Sequence, residues 1–275
     1  MNIMAIDIGN TTITIGLFVE GCEKFIESVV GSDEQRLTDL LTEGWQQIPF
    51  VKSDKVDLRD GVIVVSSVKP EWTDLIKKIC DEELGEKIKV IGVDVDLPIE
   101  MAVDNKYEVG TDRIVAAAAA FAVVEDAVAV ADFGSAVTID LVDEQGVFLG
   151  GVIAPGFNIA AAALCDNTAK LPEVEVKKPK DPIGGNTNDA INAGLYYSAI
   201  GLLRTTCENY AVQLDKWPQT IVTGGNAETI KDDCDFVDSW VPNLVVKGIL
   251  LAYKKHLSVQ AELAELGEKD KKKKK

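Results

Sequence analysis

One short motif occurs twice in this chain, and it constrains the fold more than any other feature. Asp7-Ile8-Gly9-Asn10-Thr11-Thr12 stands between two runs rich in β-branched residues, and Asp132-Phe133-Gly134-Ser135-Ala136-Val137 has the same setting. Such flanks around small polar residues predict a β-hairpin in each case. Aligning the two aspartates brings the glycines and the following strands into register, and Gly21 and Gly146 match at the same offset. The sequence therefore predicts an internal duplication.

The first of these turns has the composition of a site for phosphate and a metal ion. Gly9 allows a ligand to approach the backbone closely, while Asn10, Thr11 and the turn amides can donate hydrogen bonds to anionic oxygen. Asp7 adds a carboxylate, which is a preferred ligand of Mg²⁺. These residue types are also ordinary turn formers, so a single copy leaves both interpretations open. The repetition favours two similar domains that face each other across a nucleotide.

Composition narrows the class of protein. The chain has 275 residues, of which 47% are hydrophobic and 27% charged, as in a globular protein with two modest domains. The formal charge of −17 argues against a nucleic acid or an anionic membrane as partner. Five cysteines without Cys-x-x-Cys spacing indicate no disulfide framework or zinc site, and the single histidine, His256, leaves a carboxylate as general base. Without a signal-peptide pattern, the cytoplasm is the expected compartment.

The first repeat predicts the order βββαβα, which is that of a ribonuclease-H-like domain. An alanine-rich helix then follows from Thr111 to about Asp126, and its small side chains allow a neighbouring helix to approach closely. Residues 172–182 read as an exposed charged loop. Further helices are predicted at 159–165, 188–210 and 243–256, with a lysine-rich tail at the end.

Six sequence blocks together resemble the type III pantothenate kinases of the actin, Hsp70 and sugar-kinase superfamily. The blocks are Asp7–Thr11, Glu108–Arg113, Asp132–Ala136, Leu149–Gly156, Gly185–Thr187 and Thr223–Gly225. The resemblance implies an α/β fold of two duplicated ribonuclease-H-like (actin-like) domains, with the nucleotide site in the cleft between them. We expect an N-terminal domain at 1–115, a C-terminal domain at 116–265 and a disordered lysine-rich tail at 266–275.

The resemblance also implies a reaction, the ATP-dependent phosphorylation of pantothenate to 4'-phosphopantothenate, which is the first step of coenzyme A biosynthesis. Asp112 would be the catalytic base. The nucleotide would be held by Asp7, Gly9, Asn10, Thr11, Gly134, Ser135, Thr138, Gly224 and Gly225. Pantothenate would be held by Gly110, Thr111, Asp112, Arg113 and, across a homodimer interface, Thr187. The metal-binding residues would be Asp7 and Asp132, with Mg²⁺ organised by Asp7. A monovalent cation, K⁺ or NH₄⁺, would lie in the phosphate region.

Other interpretations remain open at this point. An Asp in the first turn of a helix is commonly a dipole or capping residue, and Thr187 has the position of an N-cap. The chain departs from the family pattern at Val103 and Lys106, and Ser135 and Val137 replace two threonines of the second phosphate turn. The alternatives are a non-catalytic nucleotide-binding regulatory protein of the same fold and a kinase for another small hydroxy acid.

Overall fold

The computed structural model describes residues 1–51 and 58–273, and the chain divides into two compact α/β units. The first unit comprises Met1–Ile99, Tyr107–Ala119 and Val245–Lys275, and the second comprises Glu100–Lys106 and Ala120–Leu244. Neither unit is one continuous stretch of chain. The domain boundaries predicted from the sequence, 1–115 and 116–265, stay a prediction.

A five-stranded sheet forms the centre of the first unit. Its strands are β1 (Ile3–Ile8), β2 (Thr12–Val19), β3 (Cys22–Val30), β4 (Val62–Ser67) and β5 (Ile88–Val90). They lie in the order β3-β2-β1-β4-β5, with β2 antiparallel to β1 and β3, and β4 parallel to β1 and β5. Strand β4 is a continuous apolar run in which Ile63, Val64 and Val65 are fully buried, as is typical of a strand covered on both faces.

A six-stranded sheet forms the centre of the second unit. Its strands are β6 (Glu100–Met101), β7 (Val128–Phe133), β8 (Ala136–Val142), β9 (Val147–Pro155), β10 (Gln219–Thr223) and β11 (Ser239–Trp240). They lie in the order β11-β10-β7-β8-β9-β6, so that β7 to β11 repeat the topology of β1 to β5. The structure therefore confirms the predicted duplication, with β6 as an additional edge strand.

The described ranges contain six α-helices, and those that the sequence analysis predicts begin and end close to the expected positions, except at the carboxyl end of the chain. The six helices are α1 (Glu34–Gln46), α2 (Pro70–Ile79), α3 (Thr111–Val124), α4 (Phe157–Asp166), α5 (Thr187–Leu214) and α6 (Leu244–Lys273). The prediction that the last helix ends near His256 is wrong, because Ala, Glu, Leu and Lys continue a helix well even where its residues are exposed. The disordered tail at 266–275 stays a prediction. Within the described ranges no helix is long and apolar enough to cross a membrane.

The alanine-rich helix α3 is closely packed, as its composition predicts. Ala116 to Ala120 are all buried, and within the first unit a β-carbon added at Gly248 of α6 would overlap the backbone carbonyl of Val115. Each unit also has its own apolar core. In the first, Ile6 and Ile15 of the sheet belong to the same cluster as Leu41 of α1.

The predicted register of the two repeats is wrong by one residue after the turn. Asp7 lies opposite Thr14, whereas Asp132 lies opposite Thr138, so the turn of the first hairpin contains one residue more. The next loop of the second repeat is longer, which restores the offset at Gly21 and Gly146. Both glycines have positive φ angles, 81° and 79°, and each ends its turn. The sequence alone hides the shift because the two length changes cancel.

Candidate active site

The first candidate site lies at the carboxyl ends of β1 and β4. Asp7 and Ile8 of β1 pair in parallel with Ser66 and Ser67 of β4, while the other edge of β1 pairs with antiparallel β2. In open α/β sheets ligands bind outside the carboxyl ends of strands, where the direction of the connections changes. Asp7 therefore stands at the edge where a ligand is expected in this unit.

The turn that follows Asp7 presents polar groups to solvent. The Gly9 amide donates to the Thr12 carbonyl at 3.0 Å and the Gly31 amide donates to the Thr11 carbonyl at 3.3 Å. Asn10 and Thr11 are exposed. A β-carbon at Gly9 would lie 3.2 Å from the Thr12 carbonyl oxygen, so a side chain there would crowd the turn. The backbone is thus fixed while its polar side chains face outward.

Helix α3 begins beside the same strand ends. The Thr111 hydroxyl lies 2.9 Å from the Ser66 hydroxyl and accepts a hydrogen bond from the Ser67 amide at 3.2 Å. These contacts attach the first turn of α3 to β4, the immediate neighbour of β1. Asp112, the next residue, is thereby held at the edge of the sheet that carries Asp7.

The carboxyl group of Asp112 is half-buried and closely surrounded. Its Oδ1 accepts a hydrogen bond from the Arg113 amide at 2.8 Å, and a β-carbon at Gly110 would overlap that same oxygen. Burial raises the pKa of Asp112, and the hydrogen bond from the Arg113 amide and the Arg113 charge offset part of that rise. A carboxylate with a raised pKa is a stronger proton acceptor than an ordinary Asp, which favours general-base chemistry at this position.

The second candidate site repeats the arrangement in the second unit. Asp132 pairs with Thr138 of β8 on one side and with Thr223 of β10 on the other. The Gly134 amide donates to the Ala136 carbonyl at 3.0 Å, and the amide of Gly156, just before α4, donates to the Ser135 carbonyl at 3.0 Å. The amino end of α4 therefore lies against the turn that contains Ser135.

The Gly224-Gly225 turn closes onto this second site. Gly224 has a φ of 101°, and a β-carbon there would lie 2.5 Å from both Asp132 Oδ1 and the Phe133 nitrogen. A β-carbon at Gly225 would meet nothing within 4 Å. The Asn226 amide donates to the Phe133 carbonyl at 2.9 Å, and its side-chain amide donates to the Gly134 carbonyl at 3.3 Å. Asp132, Gly134, Ser135, Thr138, Gly224 and Gly225 are thus brought together in one unit.

Thr187 lies in a different part of the second unit. It is the first residue of α5, and the N-cap is Asn186, whose Oδ1 accepts a hydrogen bond from the Asp189 amide at 3.0 Å. The interpretation of Thr187 as the N-cap is therefore wrong. Thr187 instead lines an open cavity of about 510 Å³ together with Leu164, Leu171 and other residues of the 184–195 segment.

Two of the departures from the family pattern, Val137 and Val103, have defined surroundings in the second unit. Val137 is buried in the core of the second unit, opposite Phe133, so a hydroxyl lost there is lost from the interior. Val103 lies near Gly150, since a β-carbon at that glycine would be 3.5 Å from it. The neighbouring Thr138, which pairs with Asp132, keeps its hydroxyl.

The oxygen donors at the two turns fit Mg²⁺ that is bound together with substrate phosphates. Among the described residues, no cluster of three or more His, Cys, Asp or Glu side chains could hold a metal ion. Mg²⁺ keeps several waters and commonly uses one or two carboxylates plus phosphate oxygens, so it needs no such cluster. Asp7 and Asp132 each place a carboxylate at the carboxyl end of a central strand.

Sequence reasoning missed four residues that the structure places at these sites. They are Ser66, Ser67, Lys69 and Asn226. The two serines end an apolar strand next to β1, and polar residues at such a strand end are a usable signal. Lys69 and Asn226 act through contacts distant in sequence, for which a single sequence gives no signal.

The fold identifies the class of protein to which this chain belongs. Two central sheets of repeated topology, each with an Asp-x-Gly turn, define a protein of the actin-like fold. The same fold occurs in a Campylobacter jejuni protein described as a Baf family transcriptional activator, with 16% identity, a TM-score of 0.56 and coverage of 93% of this chain and 99% of that one. The protein EutJ from Carboxydothermus hydrogenoformans also shares it, with 14% identity, a TM-score of 0.50 and coverage of 92% and 89%.

The chain belongs to the type III pantothenate kinase family, whose family model matches residues 3–209. The type III pantothenate kinase of Syntrophotalea carbinolica is 33% identical over 254 residues, which cover 91% of this chain and 98% of that protein. The type III pantothenate kinase of Bifidobacterium animalis subsp. lactis is 35% identical over 261 residues, with coverage of 93% and 100%.

Proposed function

We propose that this protein transfers the γ-phosphoryl group of ATP to the hydroxyl of pantothenate, which yields 4'-phosphopantothenate for coenzyme A biosynthesis. The observation that carries the proposal is the placement of Asp112. In a chain of this family, a half-buried carboxylate of raised pKa stands in the first turn of α3, at the sheet edge that holds Asp7.

The nucleotide would be held by two turns of the same design. Gly9, Asn10 and Thr11 would bind phosphate oxygens from the first unit. Gly134, Ser135 and Thr138 would do so from the second. Backbone amides in such turns bind anions without adding charge, and Mg²⁺ with Asp7 would neutralise the remainder. The open space at Gly225 and the backbone conformation at Gly224 support a place for the flat adenosine moiety.

Asp112 would receive the proton of the pantothenate hydroxyl. As that oxygen forms its bond to the γ-phosphorus, the bond between the γ-phosphorus and the oxygen of departing ADP breaks. Phosphoryl transfer depends mainly on positioning and charge stabilisation, so the proton leaves late and a carboxylate is a sufficient acceptor. Arg113, beside Asp112, would help to hold the anionic substrate, together with Gly110 and Thr111.

A coupled assay of ADP release tests the proposal. Purified protein with ATP, Mg²⁺, K⁺ and pantothenate should release ADP at a rate that depends on pantothenate. Replacing pantothenate by other small hydroxy acids in the same mixture tests the alternative that the protein is a kinase for a different substrate. If the protein binds nucleotide but phosphorylates none of these acceptors, the result would instead support the alternative of a non-catalytic regulatory protein.

We further propose that activity requires a monovalent cation such as K⁺ or NH₄⁺. ATP brings several negative charges to sites that contain Asp7, Asp112 and Asp132, in a protein with a formal charge of −17. A cation bound among the phosphates and Asp132 would lower this repulsion. Turnover in K⁺ or NH₄⁺ buffers should exceed turnover in Na⁺ buffers of equal ionic strength. Equal rates in all three would contradict the prediction.

The homodimer also stays a proposal. The alanine-rich face of α3 is buried within the chain, so it offers no surface to a partner. The cavity beside Thr187 gives better support, because it is open and lined by Leu164, Leu171 and Leu195. Exposed apolar residues occur on the same part of the chain, including Ile183 and Tyr197.

Mixed dimers test whether Thr187 completes the pantothenate site of the partner subunit. Thr187→Ala should weaken pantothenate binding by about tenfold and ATP binding little, and Thr187→Ser should restore it. Mixing Thr187→Ala with Asp112→Asn subunits would create one intact site in each mixed dimer. Activity at low pantothenate should then recover to about a quarter of wild type after random exchange. A monomer in light scattering, or no recovery on mixing, would contradict the proposal.

The predicted cytoplasmic location stays a proposal of the same kind.

A further inference from the structure

Lys69 brings a positive charge to the first phosphate turn. Its Nζ donates a hydrogen bond to the Asn10 carbonyl at 3.3 Å and lies 3.3 Å from the centroid of the Trp72 ring. Both groups are uncharged. Among the described residues, no carboxylate forms an ion pair with Lys69. The chain has 45 acidic and 28 basic side chains, so a lysine beside the first phosphate turn that lacks an acidic partner is unexpected.

The backbone of Lys69 is fixed relative to the turn. The neighbouring Val68 amide donates to the Ile8 carbonyl at 3.1 Å, and the Lys69 amide donates to the Ser67 hydroxyl at 3.1 Å. Lys69 is also the residue that precedes α2, whose first helical residue is Pro70. The β4–α2 connection therefore holds Lys69 beside the end of β1.

The side chain of Lys69 is held by the same block of structure. Trp72 packs so closely on Gly31 that a β-carbon at Gly31 would overlap its ring, and the Gly31 amide donates to the Thr11 carbonyl. The Trp72 ring attracts the ammonium group of Lys69, which lies over its face. An ammonium has three donors, and the Asn10 carbonyl takes one of them. The others can bind an anion at the turn.

We propose that Lys69 is a phosphate-binding residue, which contacts the β- or γ-phosphate of the bound nucleotide. The proposal rests on the proposed function in one respect, the assignment of Gly9 to Thr11 to the phosphates. A charge-assisted hydrogen bond to phosphate is stronger than one to a neutral carbonyl, so the ammonium group would turn from the Asn10 carbonyl to the phosphate. Lys69 would thus offset part of the repulsion between ATP and the acidic site.

Another role for Lys69 would be to brace the turn by holding the Asn10 carbonyl. Three substitutions separate the two roles. Lys69→Met keeps an unbranched side chain but removes charge and donor, Lys69→Gln keeps a donor without charge, and Lys69→Arg keeps both. Lys77→Met removes the same charge from an exposed position near the end of α2 and is the matched control.

Calorimetric titration with ATP, ADP and AMP, without pantothenate, gives a measurement independent of turnover. We expect Lys69→Met and Lys69→Gln to weaken ATP binding about tenfold and AMP binding less than twofold, since AMP lacks the β- and γ-phosphates. The ATP affinity of Lys69→Arg should stay within about threefold of the wild-type value. The ATP affinity of Lys77→Met should equal that of wild type. The difference between wild type and Lys69→Gln should shrink at high salt.

Two results would overturn the proposal. Wild-type ATP affinity in Lys69→Gln would show that a neutral donor suffices, and equal losses for ATP and AMP would show a general disturbance of the turn. If Lys69→Met does not fold, the comparison of Lys69→Gln with Lys69→Arg still distinguishes the two roles of Lys69. Failure of the proposed function is a separate result, because a protein that does not phosphorylate pantothenate can still show the Lys69 pattern with ATP. Full turnover on pantothenate with an unaffected Lys69→Gln variant would reject only the Lys69 proposal.

Discussion

Asp112→Asn is expected to lower kcat for pantothenate phosphorylation by about 10²–10⁴-fold while the protein stays folded. Asparagine has nearly the size of aspartate and can accept the hydrogen bond from the Arg113 amide that Asp112 accepts at 2.8 Å. It cannot take the proton of the substrate hydroxyl. ATP affinity should change little, because the phosphates are assigned to other residues.

The raised pKa of Asp112 gives this prediction a second readout. Folding favours the protonated form of a group whose pKa is raised in the folded state, so its contribution to stability is present below the unfolded pKa and lost as the pH rises through the folded pKa. At pH 7 the ionised carboxylate therefore costs stability. Asp112→Asn should unfold at an equal or higher temperature than wild type at pH 7, with the difference shrinking in acid.

The same shift predicts the acid side of the pH profile. Protonated Asp112 cannot accept a proton, so kcat/KM should fall as the pH drops through its pKa. That midpoint should lie above about 3.9, the ordinary value for Asp. The acid limb should be absent from the residual activity of Asp112→Asn.

Asp33→Asn is the matched control for Asp112. Asp33 is the N-cap of α1, where its side chain accepts a hydrogen bond from the Arg36 amide at 3.1 Å, and Asn caps helices equally well. Activity and stability of this variant should stay close to wild type. If Asp112→Asn turns over pantothenate within a few-fold of wild type, Asp112 only stabilises the start of helix α3 through the helix dipole. The catalytic assignment would then be wrong.

Gly224→Ala is expected to lower the free energy of unfolding by about 2–4 kcal/mol and the midpoint of thermal unfolding by about 4–16 °C. The φ of 101° is unfavourable for alanine, and the new β-carbon would lie within 2.5–2.6 Å of the Phe133 backbone and 2.5 Å from Asp132 Oδ1. The strand ends of β7 and β10 would have to separate. Nucleotide affinity should fall as well, because Asp132 belongs to the proposed site.

Gly225→Ala separates local strain from a general effect of mutating this turn. A β-carbon at Gly225 would meet nothing within 4 Å, so its unfolding temperature should stay within about 2 °C of wild type. Differential scanning calorimetry of both variants makes the comparison. Equal stability of Gly224→Ala and Gly225→Ala would contradict the packing of Gly224 against β7.

Much of the fold could be predicted because local patterns and tertiary structure agree. Runs of β-branched residues around the two Asp-x-Gly turns predicted both hairpins, and the alanine-rich segment predicted α3. Two features could not be predicted. The extra residue in the first turn is compensated at the next loop, and the continuation of α6 past His256 depends on propensity without an apolar stripe.

The site was predictable where the chemistry follows directly on a strand. Asp7 and Asp132 end central strands, and the duplication pointed to both. Lys69 and Asn226 depend instead on which loops the fold brings to a turn, which is a tertiary fact. The consequence of Val137 also needed the structure, because only burial shows that its side chain faces the core.

Product analysis by mass spectrometry tests the central claim most directly. Wild-type protein incubated with ATP, Mg²⁺, K⁺ and pantothenate should form 4'-phosphopantothenate and ADP in equal amounts, and Asp112→Asn, folded and able to bind ATP, should form almost none in the same time. Unchanged pantothenate beside bound ATP in the wild-type reaction, or phosphorylation only of a different hydroxy acid, would contradict the account.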